Sequence, residues 1–248
     1  MRFEKPWEVR PITECIFYHT MDIPGHGIVQ GEWDLRSDIS RYLGGVSLTG
    51  KKVLEIGPAS GFVTFCMERM GAEVVAVEID EHVVWDVVPF RDVNAAKYVE
   101  DRRTGMRALK SGFWLAHKAH CSQSKVVYGN IYELPEELGQ YDIGVLGLVL
   151  LHLRDPLLAL EKCAAHVETI IVTEILHSHL VDSPVCQLLP SVENQIWDTW
   201  WALSPRLVVQ YLGVLGFRKF DLTRHTALYK GQGYPLYTIV ATDKSTCY

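Results

Sequence analysis

Short runs rich in valine, isoleucine and leucine alternate with helical stretches from residue 50 onward. The runs are "KKVLEIG", "AEVVAVEID", "SKVVYGN", "YDIGVLGL", "ETIIVTEI", "FRKFDLT" and "LYTIVATDK". Runs that are apolar on both faces and alternate with helices are typical of parallel strands covered on both sides. The last two runs have no helix between them, so they predict an antiparallel hairpin at one edge. The pattern therefore predicts an α/β fold with a doubly wound, seven-stranded, mostly parallel sheet.

The stretches between these runs predict helices, an insertion and a preceding segment. Asp155 before Pro156 and Ser204 before Pro205 are pairs typical of an N-cap and a first helical residue. The helical candidates are 61–71, 81–88, 91–121, 156–166 and 204–215. Because the span 81–121 is longer than one crossover requires, we interpret it as an insertion in a domain of residues 46–248. Residues 1–45 precede the sheet and are expected to form an N-terminal cap or lid over the strand ends.

The composition limits the classes of partner. A chain of 248 residues suits one substantial domain. Its net charge of -6 and pI near 5.9 make a nucleic-acid partner unlikely without excluding one. The longest apolar run, "IGVLGLVLLHL", is too short to span a bilayer, so no membrane association is expected. The cysteines show no CxxC spacing, which predicts reduced thiols and a cytoplasmic location. They are Cys15, Cys66, Cys121, Cys163, Cys186 and Cys247.

The stretch "VLEIGPASG", residues 53–61, predicts a buried strand that runs into a glycine turn. In a doubly wound sheet such a turn lies at the carboxyl ends of the strands, where ligands bind. A dinucleotide fingerprint starting at Gly57 would need glycine at positions 59 and 62, which are Ala59 and Phe62. A P-loop would need a lysine that the following "GFVTF" lacks. Polyphosphate is therefore disfavoured as the ligand.

Two acids flank this turn. Glu55 stands just before it, and Glu78 ends the next strand along the chain. An acid at the end of that strand can accept hydrogen bonds from both ribose hydroxyls. By charge complementarity, Glu55 favours a positively charged group. Together the acids predict a nucleoside that also carries a cation, such as an ammonium or a sulfonium.

The segments "VLEIGPASG" and "VVAVEID" resemble the first two motifs of the class I S-adenosylmethionine-dependent methyltransferases. In the same order, "VVYGNIYELP" and "YDIGVLGLVLLHLRDP" resemble the third-strand and fourth-strand motifs of that family. The resemblance implies a Rossmann-like fold, S-adenosylmethionine as cofactor and methyl transfer as the reaction. A generic Rossmann-like domain with coincidental acids is the alternative interpretation.

The resemblance also implies a role for each matching position. Glu55 would orient the methionine amino group, the backbone of residues 57–61 would wrap the methionine and ribose, and Glu78 would hold the ribose hydroxyls. Asn130, where the family often has aspartate, would accept from adenine through its carbonyl oxygen, and Ile131 would contact the ring. Leu146 and Gly147, at the end of the fourth strand, would supply backbone contacts near the methionine. The implied cofactor-binding set is Glu55, Gly57, Pro58, Ala59, Ser60, Gly61, Glu78, Ile79, Asn130, Ile131, Leu146 and Gly147.

A narrower likeness involves "FYHTMDIPGHGIVQGEWDLR" and "WWALSPRLVVQYLGVLGF", which resemble the group related to the bacterial tRNA wobble-uridine carboxymethyltransferase. Leu151 stands where that enzyme has a tyrosine, and Asp198 lies near the place of an arginine that pairs the carboxylated cofactor. Because an acid there would repel a carboxylate, ordinary S-adenosylmethionine and methyl transfer are predicted. A tRNA-modifying enzyme and a non-catalytic cofactor-binding protein stay open as alternatives.

Methyl transfer needs alignment, exclusion of water and, for a hydroxyl acceptor, a base. His152 is the first candidate for this base and His19 on the cap is the second, with a structural role at the strand end as the alternative for His152. Trp197, Trp200 and Trp201 follow the fifth strand and are predicted to line the acceptor pocket, with core packing as the alternative. The predicted acceptor is a small aromatic or amphipathic metabolite, methylated at oxygen or nitrogen. The sequence leaves the oligomeric state open.

The segment "TEILHSHL" raises the question of a metal site, because Glu174, His177 and His179 are all ligand types. Histidines two residues apart do not share a helix face, and no further ligand occurs at a diagnostic spacing. We therefore predict a surface loop here and no metal.

Overall fold

The structure, a computed structural model, describes residues 3–83, 86–91 and 94–245. The strands are β1 (Met21–Ile23), β2 (Gly27–Val29), β3 (Trp33–Asp34), β4 (Lys52–Ile56), β5 (Glu73–Ile79), β6 (Lys125–Gly129), β7 (Tyr141–Gly147), β8 (Val167–Ile175), β9 (Cys186–Leu188), β10 (Trp201–Leu203), β11 (Lys219–Tyr229) and β12 (Gln232–Thr242). The helices are α1 (Ile39–Tyr42), α2 (Phe62–Arg69), α3 (Ala95–Ala119), α4 (Pro156–Ala164) and α5 (Pro205–Val214).

The main sheet has eight strands in the order β3-β11-β12-β8-β7-β4-β5-β6. Strands β4 to β8 within it are parallel, and β11 and β12 form the antiparallel hairpin. The predicted doubly wound α/β fold and all seven predicted strands are confirmed. The chain order reverses between β4 and β7, so a crevice is expected above the carboxyl ends of these strands.

The sheet has eight strands and not seven, because β3 from the N-terminal segment pairs with the end of β11. The ring of Trp33 in β3 packs against Tyr229, with ring centroids 4.8 Å apart, and against Tyr234. A strand this short carries no alternation in its sequence, and tertiary aromatic packing is what holds it on the sheet edge.

The predicted helix starts at residues 156 and 204 are confirmed by their caps. The Asp155 side chain accepts a hydrogen bond from the Leu158 amide at 2.9 Å, and Ser204 accepts one from the Leu207 amide at 3.1 Å. Such caps satisfy backbone donors that the first helical turn leaves without partners. Helices α4 and α5 pack on one face of the sheet, whereas α2, α3 and the N-terminal segment cover the other.

The helix predicted over residues 81–88 is wrong for the residues that the structure describes there. Residues 81–83 form a turn and a bend, and 86–88 have no regular secondary structure. The amide of Val88 donates to the Trp197 carbonyl, and the carbonyl of Asp86 accepts from the Trp200 indole. The Val88 hydrogen bond uses a backbone amide that a helix would need, so tertiary contacts override the local sequence preference here.

The N-terminal segment contacts both α3, the helix within the predicted insertion, and the glycine turn. The amide of Ile16 donates to the Ala108 carbonyl in α3, and the amide of Tyr18 donates to the hydroxyl of Ser60 at 3.0 Å. A Cβ added at Gly112 would lie only 2.4 Å from the Ile16 carbonyl oxygen, so this glycine permits close approach of the segment to α3. Residues 16–18 thus lie against α3 and the turn that follows β4.

Two further features are absent from the described residues. No helix in residues 3–83, 86–91 and 94–245 combines the length and apolar character needed to cross a membrane. Across the same residues, no group of three or more histidine, cysteine, aspartate or glutamate side chains is arranged to hold a metal ion.

Candidate functional site

The turn between β4 and α2 is built on backbone conformations that favour glycine. Gly57 has a φ of 72° and Gly61 a φ of 89°, and Ala59 between them has a φ of 50°. A Cβ at Gly57 would lie 2.8 Å from Val149, and one at Gly61 would lie 2.6 Å from the Phe65 ring. Left-handed φ values and the lack of space together require glycine at both positions. The predicted turn over residues 57–61 is therefore present at the carboxyl end of β4.

Glu78 joins this turn to the end of β5. One of its carboxylate oxygens accepts a hydrogen bond from the Ala59 amide at 3.0 Å, and the other accepts one from the Ile79 amide at 2.8 Å. Burial raises the pKa of Glu78, while these two amides and the positive charges of Lys110 and Arg102 oppose the increase. Each oxygen keeps a second lone pair, so the carboxylate can also accept hydrogen bonds from a ligand.

Glu55 lies in β4 next to Ala76 of β5 and Val145 of β7, and its side chain is 3% exposed. The hydroxyl of Thr64 in α2 donates to its Oε2 at 2.5 Å. Burial raises the pKa of Glu55 to about 8, and the nearby charge of Glu78 adds to the increase. A carboxyl group with such a pKa is poised to lose its proton when a cation approaches.

The remaining predicted cofactor residues also end neighbouring strands. Leu146 in β7 pairs with Ile56 in β4, so Gly147 lies beside Gly57 at the start of the turn. Asn130 follows β6, and its side-chain oxygen accepts a hydrogen bond from the Tyr132 amide at 3.0 Å. One lone pair of that oxygen therefore already caps a short 3-10 turn, in which Ile131 is buried.

His152 follows β7 and approaches the segment after β9. Its Nδ1 atom lies 2.6 Å from the Asp198 carbonyl oxygen, and the Asp198 carboxylate lies 3.8 Å from Arg102 of α3. Burial lowers the pKa of His152, and the hydrogen bond and charge of Asp198 oppose that decrease. Since a carbonyl can only accept, Nδ1 carries the proton and Nε2 carries the lone pair.

His19 has a different environment. Its side chain is 6% exposed, its ring lies 5.9 Å from that of Phe62, and its buried Nδ1 atom has no hydrogen-bond partner among the described residues. Burial lowers the pKa of His19 to about 4. The Nδ1 atom of His19 thus lacks the hydrogen bond that fixes the tautomer of His152, so the geometry favours His152 over His19 as a base.

The tryptophans are held by specific backbone contacts. Trp197 lies between Tyr98, at a centroid distance of 4.8 Å, and the Arg102 guanidinium, which is 5.3 Å from the ring centroid. The indole N–H of Trp200 donates to the Asp86 carbonyl at 2.5 Å, and that of Trp201 donates to the Arg154 carbonyl at 3.2 Å. Trp197 therefore packs against α3. The indole hydrogen bonds of Trp200 and Trp201 connect the loops at residues 86 and 154 to residues 200–201.

Sequence reasoning missed two residues at the carboxyl ends of the central strands. A Cβ added at Gly147 would lie 2.2 Å from the Tyr42 hydroxyl oxygen, so this tyrosine of α1 reaches the end of β7. Glu174 in β8, considered above only for a metal, is 2% exposed and accepts a hydrogen bond from the Leu150 amide at 2.9 Å. Burial raises its pKa to about 8. Its unusual position, a carboxylate inside an apolar run, was the signal that could have identified it.

His177 and His179 lie beyond the end of β8, with ring centroids 6.0 Å apart. The Nε2 atom of His179 lies 2.7 Å from the Gln187 side-chain oxygen. Glu174, the third ligand type in this segment, is turned to the Leu150 amide instead.

The order of the parallel strands, the antiparallel hairpin and the glycine turn together define a Rossmann-like fold of the methyltransferase type. No family model matches the sequence, and no curated protein matches it significantly. Solved structures match across most of the chain.

The N-terminal domain of EvdMO1, solved with SAH bound, is 15% identical with a TM-score of 0.56, and the match covers 94% of this chain and 93% of that chain. Magnesium protoporphyrin IX methyltransferase (ChlM) from Synechocystis PCC 6803, also with bound SAH, is 12% identical with a TM-score of 0.54 and coverages of 84% and 82%. The 1,6-didemethyltoxoflavin-N1-methyltransferase of Burkholderia thailandensis is 15% identical, with a TM-score of 0.51 and coverages of 84% and 78%. At these identities the likeness establishes the shared fold.

Proposed function

We propose that the protein is an S-adenosylmethionine-dependent methyltransferase that methylates oxygen or nitrogen of a small aromatic or amphipathic metabolite. The observation that carries this proposal is the pair of buried acids on adjacent strands, Glu55 and Glu78, on either side of the glycine turn. Buried carboxylates are costly unless they have partners, and a ligand with a cation and a ribose would supply partners for both. The fold shared with two solved methyltransferases, and with a domain solved with SAH bound, supports the same proposal.

The residues present fit the cofactor. Glu78, fixed by two backbone amides, would accept hydrogen bonds from the ribose hydroxyls, and Glu55 would face the methionine ammonium. The backbone of residues 57–61 and of Gly147 leaves space that side chains would fill. Asn130 and Ile131, at the end of β6, would lie at the adenine end of the same row of strand ends.

Bound S-adenosylmethionine would supply an electrophilic methyl group. The residues of the protein would then align the acceptor, exclude water and remove a proton from the acceptor. The lone pair at Nε2 of His152 is suited to the last of these tasks, because Nδ1 is held by Asp198. Trp197, with Tyr98 and Arg102 around it, would form an aromatic wall for a flat acceptor.

The decisive experiment is calorimetry of the purified protein with S-adenosylmethionine and with its demethylated product. Saturable binding of either compound would support the proposal, and no binding of both would refute it. Incubation with labelled cofactor and a cell metabolite extract then separates an enzyme from a non-catalytic binding protein, because only an enzyme yields a labelled product.

The buried carboxyl of Glu55 predicts proton release on cofactor binding. Its pKa of about 8 in the free protein means that it is largely protonated at pH 7, whereas facing an ammonium favours the ionised form. Binding should therefore release up to about one proton at pH 7, and affinity should rise from pH 6 to pH 7. Calorimetry in two buffers of different ionisation enthalpy measures this number. In Glu55→Gln, which cannot ionise, the release should disappear; equal release in both proteins would contradict the assignment.

The hydrogen bond at Nδ1 predicts the tautomer of His152. Nitrogen-15 NMR should show the Nδ1-protonated form at neutral pH, with a titration midpoint below the ordinary value of about 6.5, because burial disfavours the imidazolium. The neutral, proton-accepting form would then persist to lower pH than in a free histidine. His152→Asn assigns the signal by its loss. An Nε2-protonated ring, or a midpoint above that of free histidine, would remove His152 as the base.

A second candidate, carboxymethyl transfer to tRNA, is favoured by one observation. Asp198 lies near the place where the carboxymethyltransferase has an arginine that pairs its cofactor. The structure brings the guanidinium of Arg102, from α3, to Asp198. This arginine could face a carboxylated cofactor, although its charge is already balanced in part by Asp198. Calorimetry with carboxy-S-adenosylmethionine beside S-adenosylmethionine tests the cofactor, and a gel shift at low salt tests tRNA. Weaker binding of the carboxylated compound together with no shift would eliminate this candidate.

A further inference from the structure

Tyr42 of α1 reaches the carboxyl end of the strand at the centre of the crevice. The hydroxyl oxygen lies so close to Gly147 that a Cβ there would be 2.2 Å away. Because Leu146 pairs with Ile56, Gly147 stands level with Gly57, where the glycine turn begins. The hydroxyl is therefore placed at the end of β7, beside the strand that leads into the glycine turn.

The backbone of Tyr42 is fixed to the sheet. Its carbonyl oxygen accepts a hydrogen bond from the Thr173 hydroxyl at 2.8 Å and lies 3.4 Å from the Thr238 hydroxyl. At the start of the same helix, the Asp38 carboxylate lies 2.9 Å from Nδ1 of the buried His225. Contacts with three strands hold α1 in one position, so the hydroxyl is pre-organised.

The hydroxyl itself is not used by the fold. Tyr42 is only 2% exposed, and among the described residues its hydrogen bonds use the backbone amide and carbonyl and not the hydroxyl. The hydroxyl oxygen is not among the fully enclosed polar atoms that lack a partner in these residues, so it can be reached at the edge of the crevice, and a ligand bound there would supply its partner. Burial raises the pKa of Tyr42 well above its usual range, and Glu174, Tyr18 and Glu55 add to the increase, so the group stays a neutral phenol.

We propose that the Tyr42 hydroxyl oxygen contacts the sulfonium end of bound S-adenosylmethionine and makes the site prefer this cation over the neutral thioether of the product. The inference rests on the proposed function and adds a binding residue to it. A phenol oxygen carries lone pairs that attract a positive sulfur and its methyl group, whereas the thioether offers no charge to attract. The contact would favour binding of the cofactor and release of the demethylated product.

The test is calorimetry of S-adenosylmethionine and S-adenosylhomocysteine with the wild type, Tyr42→Phe and Tyr141→Phe. Tyr42→Phe keeps the ring and should weaken S-adenosylmethionine binding about 3- to 10-fold, the range for one hydrogen-bond-like contact, while S-adenosylhomocysteine changes less than about twofold. Tyr141, at the other end of β7, is the matched control, because its buried hydroxyl donates to the Leu138 carbonyl at 3.0 Å. Tyr141→Phe should leave the ratio of the two affinities unchanged.

The failures of the two proposals are distinguishable. If the wild type binds neither compound, the proposed function falls. If it binds both, and Tyr42→Phe weakens both equally or neither, the inference about Tyr42 is overturned while the function stands. Should Tyr42→Phe fold poorly, a crystal structure of the wild type with S-adenosylmethionine decides. A Tyr42 oxygen within about 3.6 Å of the methyl carbon supports the contact, and a longer separation overturns it.

Discussion

Replacing Glu78 with alanine is expected to weaken S-adenosylmethionine binding at least about 100-fold, because two kinds of interaction are lost together. The carboxylate holds the Ala59 amide at 3.0 Å and thereby shapes the glycine turn, and it is the group that would accept the ribose hydroxyls. Hydrogen bonds to a charged acceptor contribute about 1.5 to 3 kcal/mol each, so losing a pair accounts for an effect of this size. Calorimetry or equilibrium dialysis measures the change.

The same substitution should affect stability much less than binding. Burial raises the pKa of Glu78, which means that the ionised carboxylate is costly to the folded chain without a ligand. Glu73, at the exposed amino end of the same strand, provides the matched control, since Glu73→Ala removes a carboxylate without approaching the turn. Glu73→Ala should bind like the wild type. Near-normal binding by Glu78→Ala would show that the ribose site lies elsewhere.

The sequence predicts the sheet well because each of its seven main strands can be recognised from the apolar pattern of its own residues. A run such as 141–147 is mostly apolar on both faces, so a parallel buried strand is the arrangement that satisfies it. The turn residues Gly57 and Gly61 and the acids Glu55 and Glu78 are likewise local to strand ends. Once the strands are placed, parallel pairing brings these residues together without further information.

What the sequence does not predict depends on contacts between distant segments. Residues 81–83 and 86–88 favour a helix locally, yet hydrogen bonds to Trp197 and Trp200 hold the second of these stretches. Tyr42 lies in a four-residue helix whose position is fixed by strands far along the chain, so no spacing rule relates it to Gly147. The roles of Trp200 and Trp201 depend on the carbonyls that their indoles meet.

Substituting alanine for Gly61 is expected to lower the free energy of unfolding by about 2 to 5 kcal/mol, through backbone strain of about 1 to 2 and overpacking of about 1 to 3. Gly61 has a φ of 89° at the start of α2, a conformation that residues with a Cβ rarely adopt. The added Cβ would lie 2.6 Å from the Phe65 ring and 2.8 Å from Phe113. Both rings are buried, so neither can move away without disturbing the packing of α2 on α3.

A second glycine separates the two contributions to this loss. Gly25, in the turn between β1 and β2, has a similar φ of 81° but nothing within 4 Å of an added Cβ. Gly25→Ala should therefore lose only the contribution of backbone strain, about 1 to 2 kcal/mol, in urea denaturation, and should leave cofactor binding intact. Gly61→Ala should lose more stability and also bind the cofactor weakly, because the displaced helix start carries the turn with it. Equal losses in the two variants would mean that the Phe65 and Phe113 rings yield easily, and that close packing does not fix the turn that holds the ligand.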